Sequence, residues 1–196
     1  MRIGRGWFSA IAVLLFMMAT GSVAFGQAAH VRWDIVNLDT STSPPCAKEG
    51  GVASAQAQDN SSIVLMGSGT FVAPAGGGGT SGATTGGGTW TTFDAGGTQT
   101  GTGAYSVTGL VRWEQAPGTL PICDKIGSVE AAHSGLAVLR IEYSDGSRGH
   151  LVVSCHLPVG TPNSIFEGIR ASKGFVDYWN GTPPVGNTNR TVFHVR

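Results

Sequence analysis

Charge is scarce in this 196-residue chain. Twelve Lys and Arg balance 12 Asp and Glu, and together they make up 12% of the residues, about half of the ~25% found in an ordinary globular domain. With zero net charge and no basic stripe, nucleic-acid binding is excluded as a function class. Cysteine is scarce too. Cys46, Cys123 and Cys155 allow at most one intramolecular bridge, so disulfides do not replace a hydrophobic core here. The motifs of the commoner chemistries are missing. No Gly-x-Ser-x-Gly elbow presents a serine nucleophile. The five histidines show no ligand spacing such as i and i+4 on a helix, so neither a metal nor another cofactor is expected. The run Gly76–Gly79 lacks the lysine and the following helix that a phosphate-cradling loop needs. Cys155 and His156 are neighbours, which on a strand puts their side chains on opposite faces and excludes them as a catalytic pair.

One long apolar run is present, and it stands at the start. Arg2 and Arg5 precede Phe8–Ala19, a segment of about 12 residues that falls short of the ~20 needed to cross a bilayer. With the small residues Ala24 and Gly26 beyond it, the segment 1–26 reads as a signal peptide. The expectation is an exported chain, periplasmic or extracellular, with no membrane span after cleavage and a single domain over 27–196. Cys46 follows Pro44-Pro45 and Cys123 follows Pro121-Ile122, both loop-like settings, whereas Cys155 ends the strand-like run from Leu151. A Cys46–Cys123 bridge is therefore favoured, with Cys155 as a small buried hydrophobe.

Glycine is what the chain has in excess, 31 residues in all, alongside many Ser and Thr. Such a composition suits strands joined by tight turns. Three segments share the pattern Gly, any residue, Gly, small residue, aromatic, β-former, with aromatics at Phe71, Trp90 and Tyr105. Their spacings of 19 and 15 residues fit a meander and are too irregular for a solenoid or propeller. The segment 74–88 reads as a glycine-rich loop. Val31–Ile35, Tyr105–Glu114 and Thr191–Val195 alternate apolar and polar residues, as half-buried strands do. On the second of these, Tyr105, Val107, Gly109, Val111 and Trp113 share one face and Leu110 takes the other. Ser128–His133 reads as a short helical turn capped by Ser128.

A β-hairpin spans Leu136–Leu157 around Ser144-Asp145-Gly146-Ser147. Read as a two-residue Asp-Gly loop, the turn sets Ile141 opposite His150 and Tyr143 opposite Arg148. His150, Arg148 and Tyr143 then share an inner face with Leu139 and Val152, and an inward polar group in a β-barrel or sandwich marks a ligand-site candidate. The alternative for these residues is a solvated position near the turn. Glu167 and Asp177 lie on two further strand-like runs, Ile165–Ile169 and Phe175–Trp179, where Glu167 is a candidate acid or base and a solvated strand face is the plainer account.

Some of these runs resemble known proteins. Gly109–Trp113, Tyr143–Gly149 and Ala171–Trp179 resemble segments of small exported bacterial proteins of uncharacterised function. The run Ile165-Phe166-Glu167-Gly168-Ile169, with the Gly/aromatic strands, is more distantly similar to the allene oxide cyclase and dirigent-type barrels. That resemblance implies an eight-stranded cup around an apolar ligand and transfers no catalytic residue. The fold expected is all-β, an antiparallel up-and-down β-barrel of about eight strands, with a β-sandwich as the alternative. Three functional classes fit it: a non-catalytic exported protein holding a small apolar or amphipathic ligand in the barrel, a barrel isomerase or cyclase using His150, Arg148 or Glu167, and a surface-structural protein whose interior is filled.

Overall fold

A computed structural model describes residues 28–74 and 79–196. The segment 1–26, read from the sequence as a signal peptide, and the centre of the glycine-rich stretch lie outside the described residues. The described chain is all-β: thirteen strands and one 3-10 turn, Val129–Ala131, whose cap is the Ser128 side chain accepting from Ala131 N–H.

A large sheet curls into a ring. Strand β1 (Ala29–Asp39) pairs with β4 (Ser62–Ala73), β4 with β5 (Thr84–Phe93), β5 with β6 (Gln99–Ala116) and β6 with β8 (Ala132–Tyr143). The last strand, β13 (Arg190–Val195), closes the ring between β8 and β1. All of these pairings are antiparallel. From β8 the sheet also continues outward through β9 (Arg148–Cys155), β10 (Gly168–Lys173) and β11 (Val176–Tyr178). Two short strands, β2 (Cys46–Lys48) and β7 (Cys123–Asp124), form a parallel ribbon on the second half of β1. β3 (Ala53–Gln56) lies on β4 and carries β12 (Asn180–Gly181).

The ring is filled. Trp33, Phe71, Leu139, Ile141 and Phe193 are at most 1% exposed, and aromatic edges meet across the centre, with Trp113 5.3 Å from Phe71 and 4.7 Å from Phe193 between ring centroids. Among the described residues, packed side chains occupy the ring interior, where the sequence reading placed a ligand cavity. The Gly/aromatic repeats are part of this packing. A Cβ on Gly67 would lie 2.3 Å from the Tyr105 hydroxyl, and one on Gly69 would lie 2.8 Å from Trp33 Nε1, so the aromatics sit directly on glycine backbone.

Four sequence expectations change. The stretch 84–88 is the start of β5, with Gly88 opposite Gly67 and Gly86 opposite Gly69, so the glycine-rich loop does not run to residue 88. Irregularities in β6 between Val107 and Gly109 and between Leu110 and Arg112 shift the alternation, turning Leu110 inward at 0% exposure and releasing Val111. Ile165–Glu167 is not strand; β10 begins at Gly168. The fourth change is in the hairpin. Its loop has three residues, Ser144, Asp145 and Gly146: Tyr143 N–H bonds to Ser147 O, Gly146 N–H bonds to Tyr143 O, and Gly146 takes φ +84°. This is the three-residue turn with glycine in the left-handed region. The register moves by one relative to a two-residue loop, and Arg140, not Ile141, faces His150.

Candidate functional site

The slipped register separates the residues that the sequence places together. Tyr143 is inside, 2% exposed, with its hydroxyl donating to Ser172 O at 2.9 Å and its ring edge-on to Trp90. It is a core residue, and burial pushes its phenol up. His150 and Arg148 are on the outer face and exposed, a correction to the inward placement. They border an open outer groove of about 690 Å3 with Arg140, Glu142, Thr108 and Ser172. Arg148 lies 3.8 Å from Glu142, an exposed pair of small energetic weight.

Glu167 is the candidate that the fold turns inward. It sits between the end of β9 and the start of β13, just before Gly168, whose φ of +107° bends the chain into β10. Its Oε2 accepts the His156 N–H. Its Oε1 accepts the Thr191 N–H at 2.6 Å and the Thr191 hydroxyl at 3.3 Å. The segment before it is laced to β9, with Ser154 Oγ donating to Phe166 O and His156 Nδ1 2.7 Å from Ile165 O. The carboxyl opens on a pocket of about 80 Å3 whose apolar walls include Val36, Ala47, Leu120, Ile122 and Leu157, with Arg190 also in the lining. Burial raises the Glu167 pKa from 4.5 to about 7, against the opposing amides of His156 and Thr191. An apolar wall paired with a titrating group makes this pocket the candidate site.

The pocket's outer wall depends on the β2–β7 ribbon, where a disulfide joins Cys46 and Cys123. Cys155 lies beneath, 0% exposed, its thiol donating to Thr191 O at 3.2 Å. Burial pushes that thiol up, which makes it inert as a nucleophile. Among the described residues no group of three or more His, Cys, Asp and Glu is arranged to hold a metal.

A pH dependence follows from Glu167. Its folded pKa is above the unfolded value, so between pH 4.5 and about 7 the folded state binds more protons than the unfolded state. Stability then falls as pH rises through that window. Urea midpoints measured from pH 4.5 to 7.5 should show this decline in the wild type and a flatter profile in Glu167→Gln. Equal slopes would remove Glu167 as the cause.

Three buried ionisable residues escape sequence reasoning. Asp34, Asp124 and His194 are buried side chains on β1, β7 and β13. Alternation alone marks Asp34 and His194 as outward. That Asp124 meets His194, with Gly127 packed against the imidazole, is decided by chain pairing far away in sequence. Comparison with protein-family models, with curated proteins and with solved structures finds no match.

Proposed function

We propose that this is an exported, non-catalytic binding protein whose ligand is a small amphipathic molecule held at the Glu167 pocket, beside the filled ring and not within it. The observation that carries this reading is a carboxyl with a pKa of about 7 facing an apolar pocket. Its volume of about 80 Å3 is roughly half of the ~150 Å3 that admits benzene. The pocket therefore suits a short aliphatic group, with the ligand's polar end at Glu167 and Arg190.

Native mass spectrometry of the protein from its own source tests for a co-purifying molecule. NMR titration with isobutylamine, isobutanol and isobutyrate tests the pocket itself. Amide shifts should be confined to Leu120, Ile122, Leu157 and Val192. They should vanish in Ala47→Leu, which fills the pocket from β2. No co-purifying molecule and no localised shift would leave the surface-structural reading. The same raised carboxyl favours a second reading, an isomerase-like enzyme with Glu167 as proton acceptor at neutral pH. Turnover lost in Glu167→Gln with ligand binding retained would decide for it.

A further inference from the structure

The register of β1 and β13 gathers basic side chains on the outer face of the ring. Val31, Trp33 and Ile35 point into the core, so alternation turns His30 and Arg32 outward. Arg32 faces His194 across one ladder and Thr70 across the other. Two residues further along the ladder, past Val31 and Val195, His30 and Arg196 exchange backbone hydrogen bonds of 2.9 Å each. These five side chains line a cavity of about 300 Å3, and no Asp or Glu is in its lining.

Two of the groups are prepared for a ligand. Arg32 is oriented by Asp34, with Nε and Nη2 each 2.8 Å from a carboxylate oxygen and Nη2 also bonded to Glu49. Its Nη1 has no hydrogen bond among the described residues. His194 is 1% exposed, and its Nε2 is 2.6 Å from Asp124 Oδ2. Asp124 also accepts the amides of Ile126 and Gly127. Burial opposes its charge, but these hydrogen bonds outweigh burial and hold the carboxyl below the usual range, so His194 Nε2 is the donor in that pair. The Nδ1 of His194 is buried with no partner among the described residues. With Nε2–H given to Asp124, the Nδ1 lone pair of the neutral ring is left for a hydroxyl donor, while the two arginines that edge the cavity ask for an acceptor that carries negative charge. A cation there meets Arg32 and Arg196 instead.

We propose that this cavity is a binding site for a tetrahedral oxyanion, a phosphate or sulfate group. Its oxygens accept from Arg32 Nη1, Arg196 and His30. His194 donates Nε2–H to Asp124 and accepts at Nδ1 from a hydroxyl of the ligand, such as the P–OH of hydrogen phosphate. Such a group is supplied by a free small molecule or by a lipid headgroup, and the two are separable.

Isothermal titration with inorganic phosphate, at fixed pH and with chloride holding the ionic strength constant, should give one saturable site. Arg196→Gln combined with His30→Gln alters two exposed side chains and should weaken it about tenfold or more. Thr70→Glu places a carboxylate in the cavity and should abolish binding, with circular dichroism confirming that each variant is folded. Co-sedimentation with phosphatidylglycerol vesicles that Thr70→Glu abolishes would assign the site to a headgroup. Phosphate binding without co-sedimentation would assign it to a soluble anion. Absence of saturable phosphate binding by the wild type, or undiminished binding by the two variants, would overturn the site.

Discussion

Trp113→Ala should remove about 3–5 kcal/mol of folding free energy, a large part of the ~5–15 kcal/mol that a domain has in total. Trp113 stands on β6 and touches Phe71 on β4 and Phe193 on β13, two strands that are not its neighbours in the sheet. It therefore ties opposite sides of the ring. The loss has two sources, the apolar area returned to water and the cavity that the surrounding strands cannot close. Both contacts have tilted, edge-type geometry, at 61° and 66°, which adds to burial. Gly135 leaves room for the indole: a Cβ there would be 2.9 Å from its ring. Urea unfolding followed by circular dichroism measures the effect. A loss below about 1 kcal/mol would mean that the ring interior is not close-packed, since buried tryptophans in dense cores cost more.

Removing the bridge with Cys46→Ser and Cys123→Ser should cost a similar amount for a different reason. The two cysteines are 77 residues apart, and closing a loop of that size lowers the entropy of the unfolded chain by roughly 4 kcal/mol in the chain-entropy model. The ribbon is short, and besides its ladder to β1 it is held by the buried Asp124–His194 contact at 2.6 Å. β2 has three residues and β7 two, and the Lys125–Asp39 ion pair at 2.6 Å is exposed and weak. At this chain length, a loss of that size lowers Tm by roughly 10 °C. Calorimetry of the wild type with and without reductant, and of the double variant, checks it. Shifts within about 2 °C would show that the bridge contributes little. The effect reaches the Glu167 pocket, because Ala47 and Ile122 are part of its wall. It reaches the cavity lined by His194 as well, because Asp124, which follows Cys123 directly, holds that imidazole.

Strand content was legible because a period of two is a local property. Val31, Trp33 and Ile35 in β1 and Leu139, Ile141 and Tyr143 in β8 face inward, as their alternation indicates. Register was less legible. Ser144-Asp145-Gly146-Ser147 satisfies a two-residue loop and a three-residue loop equally well, because glycine takes positive φ in either. Burial of Leu151, Val153 and Cys155 against β8 goes with the longer loop, and that one-residue shift carries His150 to the solvent face.

Composition and alternation by themselves determined that this chain makes strands, which faces of most strands are apolar, and that its three cysteines allow at most one bridge within the chain. These follow from short-range sterics and from the separation of apolar and polar residues along each segment. Tertiary structure alone decided that β13 inserts between β1 and β8, that aromatics fill the ring, and that Glu167 lies under Thr191, 24 residues on. It also decided that His194 meets Asp124, 70 residues away. No local pattern encodes such pairings, because a carboxyl's pKa and a histidine's partner depend on which distant backbone groups and charges the closed ring brings within a few ångströms.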